Sequence, residues 1–337
     1  MPVLLGELAS RFGCELNGDP DIVIERVAAL GNAGPGSLSF LSGSNFRKQL
    51  PSTKAAAVIL RAEDVKDCPT ASLVTSDPYA SYARMAAVLH PAPVFEPGIH
   101  PSAVVFPNAT VAETAHVAAN AVVEDGAVVG NNTVIGPGTV VGKGSKVGND
   151  CRLHANVTFV RAVVTGDRCI FHSGCVIGAD GFGNAMTPDG WVKVPQLGGV
   201  TIGDDVEIGS CTTVDCGAIG DTVLGNGVRL DNQIQIGHNV RIGEHSALAS
   251  GCAIAGSAVI GKRCMFAGMA GMAGHIEVCD DVVVSGKAMV SKSISEPGVY
   301  ASMFPAEPVG SWNRRVAGLR RIGKLSERIK RLENKER

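Results

Sequence analysis

An aliphatic side chain returns at every sixth position over most of the chain between Ile99 and Ser295. The column begins Ile99, Val105, Val111, Val117, Val123 and Val129. It is interrupted after Ile177, resumes at Ile202, and slips near Gly220 to Val223 before continuing at Leu224. A fixed period of this kind identifies an internal repeat, and the repeat limits the fold before any other feature is considered.

A second column, two residues before each aliphatic one, carries small or compact side chains. Its members include Ala103, Ala109, Ala115, Ala121, Ala127, Thr133, Thr139, Ser145, Cys151, Cys252, Ala258, Cys264 and Ala270. Two inward positions separated by one outward position are typical of a β-strand. The remaining positions of each hexad carry Gly, Asn, Asp and Lys, which favour turns. Each hexad therefore predicts a short strand followed by a corner.

Short strands that cannot bury a face alone can do so by stacking as a parallel β-solenoid. Three hexads would make one triangular coil of 18 residues, so the repeat encodes about ten coils. This pattern resembles that of the hexapeptide-repeat acyltransferases, whose solenoid is a left-handed parallel β-helix. The expected fold is therefore mainly β, and its hand is implied by the resemblance alone, since parallel crossovers are usually right-handed.

The sequence divides into three predicted parts. Residues 1–98 lack the sixfold register and predict an α/β domain, with helices at 4–12 and 78–89 and strands at 21–27, 55–60 and 71–75. Residues 99–296 form the β-helix, with a loop insertion at 178–201 that is expected to be functional. Residues 297–337 predict a C-terminal helical extension, because apolar residues recur there at spacings of three and four.

Charge is distributed unevenly, although the formal net charge is only −2. Residues 313–337 hold ten Lys and Arg against three Asp and Glu, so the tail is basic and the body acidic. The amphipathic tail helix predicts an oligomer clasp with a solvated basic face, a docking site for an acidic protein, or both. No feature indicates nucleic acid as a partner.

Ten cysteines occur without a Cys-x-x-Cys motif, and five of them fall in the small inward column. This favours buried free thiols in a reducing compartment over disulfides. The amino terminus lacks a basic region followed by a long apolar run, so neither a signal peptide nor a transmembrane segment is expected. The predicted location is cytoplasmic.

Candidate chemistry lies on one corner of the solenoid. His238, Gly256 and Gly274 are spaced by 18 residues, so they stack in one column, with His275 beside its top. Coils about 4.8 Å apart would place the two histidines roughly 10 Å from each other. Neither histidine occupies an inward position. From the spacing alone, a solvated corner histidine and a functional one stay equally open.

The sequence resembles the UDP-3-O-(3-hydroxyacyl)glucosamine N-acyltransferases of lipid A biosynthesis along essentially its whole length. The matching segments are LDNQIQIGHNV at 230–240, IAGS at 254–257, GHIE at 274–277, GADGFG at 178–183 and EPGVY at 296–300. The resemblance implies transfer of a 3-hydroxyacyl group from the 4'-phosphopantetheine of acyl carrier protein to a UDP-sugar lipid, with no permanently bound cofactor and no metal. It implies that His238 is the base, that the Gly256 N–H stabilises the oxyanion, and that His275 lies near the pantetheine.

The same resemblance assigns the substrate contacts. Asp231 and Asn232 are the expected glucosamine-site residues, Gln235 is a further expected substrate-binding residue, and a homotrimer with active sites between subunits is implied. Met289 would measure acyl-chain length. In the N-terminal domain, which would bind uridine, Phe40 matches a residue that stacks on uracil and Phe46 stands where tyrosine is usual. Gly43 stands where asparagine is usual, so this position has no side chain to hydrogen-bond to uridine.

Three alternatives stay open at this point. An O-acyltransferase or acetyltransferase on the same solenoid is disfavoured by the extra N-terminal domain. A metalloenzyme like the γ-class carbonic anhydrases needs three histidines around zinc, and the upper coils lack the required His-x4-His pair. A purely structural solenoid gives no reason for the column of His238, Gly256 and His275.

Overall fold

The computed structural model describes residues 2–334, and the chain divides into two compact units, Met1–Val94 and Phe95–Arg337. The first unit is a five-stranded sheet with the spatial order Glu15–Asn17, Ala71–Val74, Ala57–Leu60, Ser37–Phe40 and Arg26–Val27. Only the edge strand Glu15–Asn17 runs antiparallel to its neighbour.

Two α-helices accompany this sheet: α1 is Leu5–Phe12 and α2 is Pro78–Leu89. Asp77 caps α2 by accepting a hydrogen bond of 3.1 Å from the Ala80 N–H, and Pro78 occupies the first turn. Short 3-10 helices complete the unit at Leu30–Asn32, Ser44–Ser52 and Ala62–Asp67. Both predicted helices agree with the structure to within one residue.

The strand predicted at 21–27 is wrong as a single element. Val23–Ile24 pairs antiparallel with Val3–Leu4, whereas Arg26–Val27 pairs in parallel with Ser37 and Leu38. The chain changes partner at Glu25, whose N–H donates to the Gly36 carbonyl. Period-two alternation cannot reveal such a change, because it reports which face is buried and not which strand is the neighbour.

The second unit is a solenoid with three parallel sheets, here called faces 1, 2 and 3 in the order in which the chain visits them. Face 1 consists of Gly98–Ile99, His116–Val117, Val134–Ile135, Arg152–Leu153, Ile170–Phe171, Glu207–Ile208, Arg229–Leu230, Ala247–Leu248, Met265–Phe266, Val282–Val284 and Gly298–Tyr300. Face 2 consists of Val104–Val105, Val122–Val123, Val140–Val141, Thr158–Phe159, Val176–Ala179, Thr213–Asp215, Gln235–Ile236, Ala253–Ile254, Gly271–Met272 and Met289–Val290. Face 3 consists of Thr110–Val111, Val128–Val129, Lys146–Val147, Val163–Thr165, Val200–Ile202, Thr222–Leu224, Arg241–Ile242, Val259–Ile260 and Glu277–Val278.

The predicted inward columns form the solenoid core. Aliphatic members such as Val117, Ile135 and Ile236 are fully buried, and all ten cysteines are free, including the buried Cys151 and Cys264. Small polar members are satisfied within the stack: the buried Thr133 hydroxyl donates to the Gly148 carbonyl at 2.7 Å. A buried polar side chain such as Thr133 is therefore accommodated in the core because the next coil supplies its hydrogen-bond partner.

Besides the insertion at 178–201, the repeat period also lengthens at the corner between the face 2 strand Thr213–Asp215 and the face 3 strand Thr222–Leu224. Thr213 pairs with Gln235, which lies 22 residues along the chain, because the intervening corner is enlarged. Thr222 and Leu224 are buried there and Val223 is outward, so the interpretation of Val223 as the shifted inward residue is wrong.

The inserted segment leaves face 2 after Ala179 and forms a two-stranded antiparallel hairpin, Asn184–Thr187 with Gly190–Lys193. Arg161 holds the base of this hairpin. Its guanidinium donates to the Gln196 carbonyl and, at 3.2 Å, to the Gly198 carbonyl, and it lies 3.6 Å from the Asp180 carboxylate. The insertion is thus attached to the solenoid at both of its ends.

Helix α3, Val309–Glu333, follows the last strand of face 1. Its apolar residues Leu319, Ile322, Leu325, Ile329 and Leu332 are each about half exposed. Arg315 forms an ion pair of 3.1 Å with Glu307. Within residues 2–334, no helix combines the length and apolar character needed to cross a membrane.

Candidate active site

His238 lies at the corner that follows the face 2 strand Gln235–Ile236, and its imidazole is half-buried between two glycines. A Cβ added at Gly256 would come within 2.6 Å of His238 Nε2, and one at Gly181 within 2.7 Å of His238 Cβ. Any larger residue at either position would collide with the histidine. The inserted segment and the next coil therefore hold the ring from two sides.

Asn239 sets the tautomer of His238. Its amide is fixed by the backbone, since Nδ2 donates to the Gly220 carbonyl at 2.8 Å and Oδ1 accepts from the Ala218 N–H at 2.9 Å. The same Oδ1 lies 3.1 Å from His238 Nδ1, so Nδ1 carries the proton. The lone pair of the neutral ring is then on Nε2, beside Gly256, which suits the ring to accept a proton there.

The predicted column is present in the register. Ile236 pairs with Ile254 and Ile254 with Met272, which stacks the corners carrying His238, Gly256 and Gly274 on one another. The Gly256 N–H has no hydrogen-bond acceptor among residues 2–334, so it is available as a donor beside His238 Nε2. This is the combination of base and donor that addition to an acyl carbonyl requires.

His275 lies one coil above Gly256 and two coils above His238, and its own N–H donates to the Gly256 carbonyl at 3.2 Å. Its side chain is exposed and does not line the cavity of His238. Its position agrees with the predicted column, but the structure does not bring its imidazole together with that of His238.

The cavity at His238 has a volume of about 700 Å³ and opens between the inserted segment and face 2. Two carboxylates line it. Asp180 is paired with Lys193 and with Arg161, and the lysine above all holds the pKa of that carboxyl below its usual range. Asp215 has no ion-pair partner among residues 2–334, and burial raises its pKa against the opposing effects of the Gln235 hydrogen bond and His238.

Asp231 and Asn232 occupy a different cavity, of about 860 Å³, on face 1. Asp231 Oδ2 accepts from the Ser250 N–H at 3.0 Å, and Asn232 Oδ1 accepts from the Ser210 N–H at 2.7 Å. His172 lines the same cavity and bonds to Glu207 at 2.9 Å. Within one chain, the two predicted glucosamine-site residues are therefore separated from His238, whereas the substrate-binding candidate Gln235 shares the cavity of His238.

In the first unit, Phe40 lies against Tyr82 with ring centroids 4.1 Å apart, and Tyr79 is a third member of the cluster. Phe46 is 52% exposed, and the position of a Gly43 Cβ would be 3.9 Å from its ring. A polar cavity of about 230 Å³ adjoins Gly43 and includes Arg47 and Arg61. Aromatic surface and hydrogen-bonding groups are thus both present around the predicted uridine residues.

Met289 stands on face 2 in register with Gly271, Ala253 and Gln235. Its side chain is 54% exposed, and its sulfur would lie 3.0 Å from a Cβ at Gly271. Gln235 and Met289 therefore bound a strip of small side chains about 14 Å long, given a coil spacing of about 4.8 Å.

Comparison with known proteins gives two family matches: UDP-3-O-(3-hydroxymyristoyl) glucosamine N-acyltransferase over residues 21–88, and the bacterial transferase hexapeptide over residues 126–161. A UDP-3-O-acylglucosamine N-acyltransferase of Alkalilimnicola ehrlichii is 54% identical over 98% of this chain and 95% of its own length. Proteins of the same name from Chromohalobacter salexigens and Pseudomonas fluorescens are 48% and 45% identical, over 98% and 99% of this chain and 95% of each relative. The chain belongs to the UDP-3-O-acylglucosamine N-acyltransferase family.

Membership of the UDP-3-O-acylglucosamine N-acyltransferase family makes the chain an acyltransferase and removes the carbonic anhydrase and purely structural alternatives. Two solved structures resemble the solenoid. A UDP-N-acetylglucosamine acyltransferase of Arabidopsis matches with a TM-score of 0.56 and 20% identity, over 61% of this chain and 71% of its own. A UDP-N-acetylglucosamine O-acyltransferase of Moraxella catarrhalis matches with a TM-score of 0.50 and 22% identity, over 60% and 71%. The predicted left-handed parallel β-helix is confirmed.

Three contributors to the site were missed in the sequence: Asp215, Asn239 and the contact of Gly181 with His238. Asn239 follows the histidine directly and has a positive φ of 59°, a conformation that asparagine tolerates. The sequence therefore indicated only that Asn239 forms part of a corner, and not that it contacts His238. Asp215 lies next to the His238 corner because the turn before Thr222 is enlarged. A period of 18 residues does not predict this neighbour, since the two strands are offset by 22 residues.

Proposed function

We propose that the chain transfers a 3-hydroxyacyl group from acyl carrier protein to the 2-amino group of UDP-3-O-(3-hydroxyacyl)glucosamine, as a step of lipid A biosynthesis in the cytoplasm. The observation that carries the proposal is the placement of His238 Nε2 against Gly256, in a cavity of a chain with this family membership. The acyl group arrives as a thioester of 4'-phosphopantetheine on the carrier protein, which is a substrate and not a resident cofactor.

In the proposed reaction the amine attacks the thioester carbonyl while His238 Nε2 accepts its proton. The carbonyl oxygen becomes negative as the C–N bond forms, and the free Gly256 N–H donates to it. Collapse of this intermediate breaks the C–S bond, and the pantetheine thiolate takes the proton from the His238 imidazolium as it leaves, which restores the neutral base. Before the transfer, Asn239 keeps the neutral base in the tautomer that leaves Nε2 free, because the Asn239 amide is itself held by Ala218 and Gly220.

We further propose that the working form is a homotrimer whose active sites lie between subunits. The separation of Asp231 and Asn232 from His238 in one chain supports this, because the sugar contacts would then come from the face 1 cavity of a neighbour. The half-exposed apolar residues of α3 support association as well, since a helix of this pattern buries that stripe against partner helices.

The remaining substrate contacts follow the same proposal. The Phe40 ring would stack on uracil, and Tyr79 and Tyr82 would support it from behind, while His275 would lie near the pantetheine. Since Gly43 has no side chain, the adjoining polar cavity with Arg47 and Arg61 would supply the polar contacts to uridine. The basic surface of α3 would meet the acidic carrier protein.

The test is direct assay of the purified chain with UDP-3-O-acylglucosamine and a series of 3-hydroxyacyl carrier proteins of different lengths. Mass spectrometry should detect a product whose new acyl group is amide-linked and therefore resists mild alkaline hydrolysis that removes the ester-linked chain. Acetyl-CoA as the donor is the control for the acetyltransferase alternative. Acylation of a hydroxyl, or activity with acetyl-CoA alone, would contradict the proposal.

A further inference from the structure

Asp215 lines the cavity of His238 but has no role in the proposed reaction described above. Asp215 ends the face 2 strand Thr213–Asp215, and because Val214 pairs with Ile236, Asp215 comes level with Gly237, one residue before His238. Its side chain is half-buried and lines the same cavity as the histidine. Burial of a charged carboxylate costs free energy unless a donor or a cation pairs with it, so the groups around Asp215 show whether it has such a partner.

Only one of the two Asp215 oxygens is satisfied. Gln235 Nε2 donates to Oδ2 at 2.9 Å, and the Gln235 amide is itself oriented by Thr213, whose hydroxyl donates to its Oε1. Oδ1 has no hydrogen-bond partner within residues 2–334. Asp180, the other carboxylate of this cavity, is neutralised by Lys193 and Arg161. Asp215 therefore offers an unpaired acceptor and an uncompensated negative charge to whatever enters.

The acceptor substrate has a group that can donate a hydrogen bond to the unpaired Asp215 Oδ1. A neutral amine has two N–H groups and one lone pair, whereas a hydroxyl has a single O–H to donate. The site presents two acceptors, His238 Nε2 and Asp215 Oδ1. An amine has two hydrogens and satisfies both, whereas a hydroxyl has one hydrogen and leaves one acceptor without a donor. We propose that Asp215 Oδ1 accepts the second N–H of the acceptor amino group and so makes the site select an amine over a hydroxyl.

The geometry also gives Asp215 a function during the reaction. The attacking nitrogen becomes positively charged as the C–N bond forms, until its proton passes to His238. A carboxylate hydrogen-bonded to that nitrogen stabilises the developing charge, and it does so more strongly in a half-buried site than in water. The raised pKa that burial gives Asp215 is consistent with a carboxyl whose charge awaits a partner. This inference rests on the proposed function, since it concerns the same amino group.

The experiment compares the unmodified chain with Asp215→Asn and Asp215→Ala. Each is assayed with UDP-3-O-acylglucosamine as acceptor, and each is tested for inhibition by the 2-hydroxy counterpart, UDP-3-O-acylglucose. In Asp215→Asn, the Gln235 amide still donates toward the side chain, so the new amide must present its oxygen to Gln235 and its NH₂ to the substrate. The substitution is therefore isosteric but removes the acceptor for the amine.

We expect kcat/KM with the amino substrate to fall about ten- to hundredfold in both variants, the range for loss of a hydrogen bond to a charged group. The inhibition constant of the hydroxyl analogue should stay within about twofold, because that ligand has no second hydrogen to place. Asp150→Asn is the matched control, since Asp150 also accepts a hydrogen bond from a side-chain amide, that of Asn132, but lies on a distant exposed corner. It should behave as the unmodified chain.

Equal weakening of both ligands would overturn the inference and assign Asp215 a structural function through Gln235. Unchanged kinetics with the amine would overturn it too. Both results would leave the proposed function intact as long as the unmodified chain acylates the amino sugar. If the unmodified chain does not acylate it with any carrier-protein donor, the proposed function fails, and this inference fails with it.

Discussion

Replacing Gly256 with alanine tests the contact on which the site depends. The new Cβ would lie 2.6 Å from His238 Nε2 and 2.8 Å from Cε1, whereas carbon contacts settle at about 3.5 Å. The imidazole must therefore move by about 1 Å, and a displacement of that size in a reacting group costs about a hundredfold in rate. We expect kcat to fall by about that factor.

Stability should change little in Gly256→Ala. Gly256 does not have a positive φ, so alanine fits the backbone, and the atoms it meets belong to a half-buried side chain that can rotate away. The entropy gain of a Gly→Ala change and the cost of the contact are each about 1 kcal/mol and opposite in sign. Gly286→Ala is the control, because its Cβ would meet only the Gly268 carbonyl, at 3.4 Å. Steady-state kinetics and thermal unfolding of both variants decide the matter, and a Gly256→Ala enzyme with normal kcat would refute the reasoning.

Two further predictions concern the acyl donor. Met289→Ala should allow donors with longer acyl chains, because it opens the strip above Gly271. Met269→Ala is the control and should not change donor length, although Met269 similarly lies over Gly251 and is 63% exposed. An unchanged donor-length profile for Met289→Ala would reject the assignment. Charge reversal of basic residues on α3 should raise the KM for the proposed carrier-protein donor, most strongly at low salt, while the proposed trimer is still observed in analytical ultracentrifugation. The residues to reverse are Arg314, Arg320 and Arg321, with Arg315 tested separately because its reversal also breaks the ion pair to Glu307. Loss of assembly with an unchanged KM would show that the helix is only an oligomer clasp.

The periodic part of this fold could be predicted from sequence because every hexad repeats the same two requirements, an inward aliphatic residue and a corner that accepts unusual dihedrals. Among residues 2–334, seventeen non-glycine residues have positive φ, and Asn132, Asp150 and His275 at solenoid corners are three of them. Where Asn or Asp occupies such a corner, the sequence indicates the turn, because both residues tolerate this backbone conformation. The edge strand Glu15–Asn17 and the strand Ser37–Phe40 were missed: both alternate polar and apolar residues, but runs of three and four residues are too short for alternation to distinguish a strand from a loop.

The candidate site was predictable only as far as the period of 18 held. His238 and Gly256 are one regular coil apart, and the stacking follows. Asp215 and Gly181 reach the same corner across an enlarged turn and an insertion, where residue spacing no longer fixes position. The tautomer of His238 depends on the Gly220 and Ala218 backbone groups that orient Asn239, and no sequence pattern indicates such an arrangement.

The central claim is that His238 is the base of an N-acyl transfer, and kcat of His238→Ala tests it most directly. The assay uses UDP-3-O-acylglucosamine and a 3-hydroxyacyl carrier protein over about pH 6 to 9, the range in which histidine chemistry operates. We expect kcat to fall by at least about a hundredfold with acceptor binding and unfolding temperature nearly unchanged, because the side chain lies at a corner and not in the core. His275→Ala should be milder and act on the KM of the donor. A His238→Ala enzyme that retains the kcat and the pH profile of the unmodified chain would contradict the account.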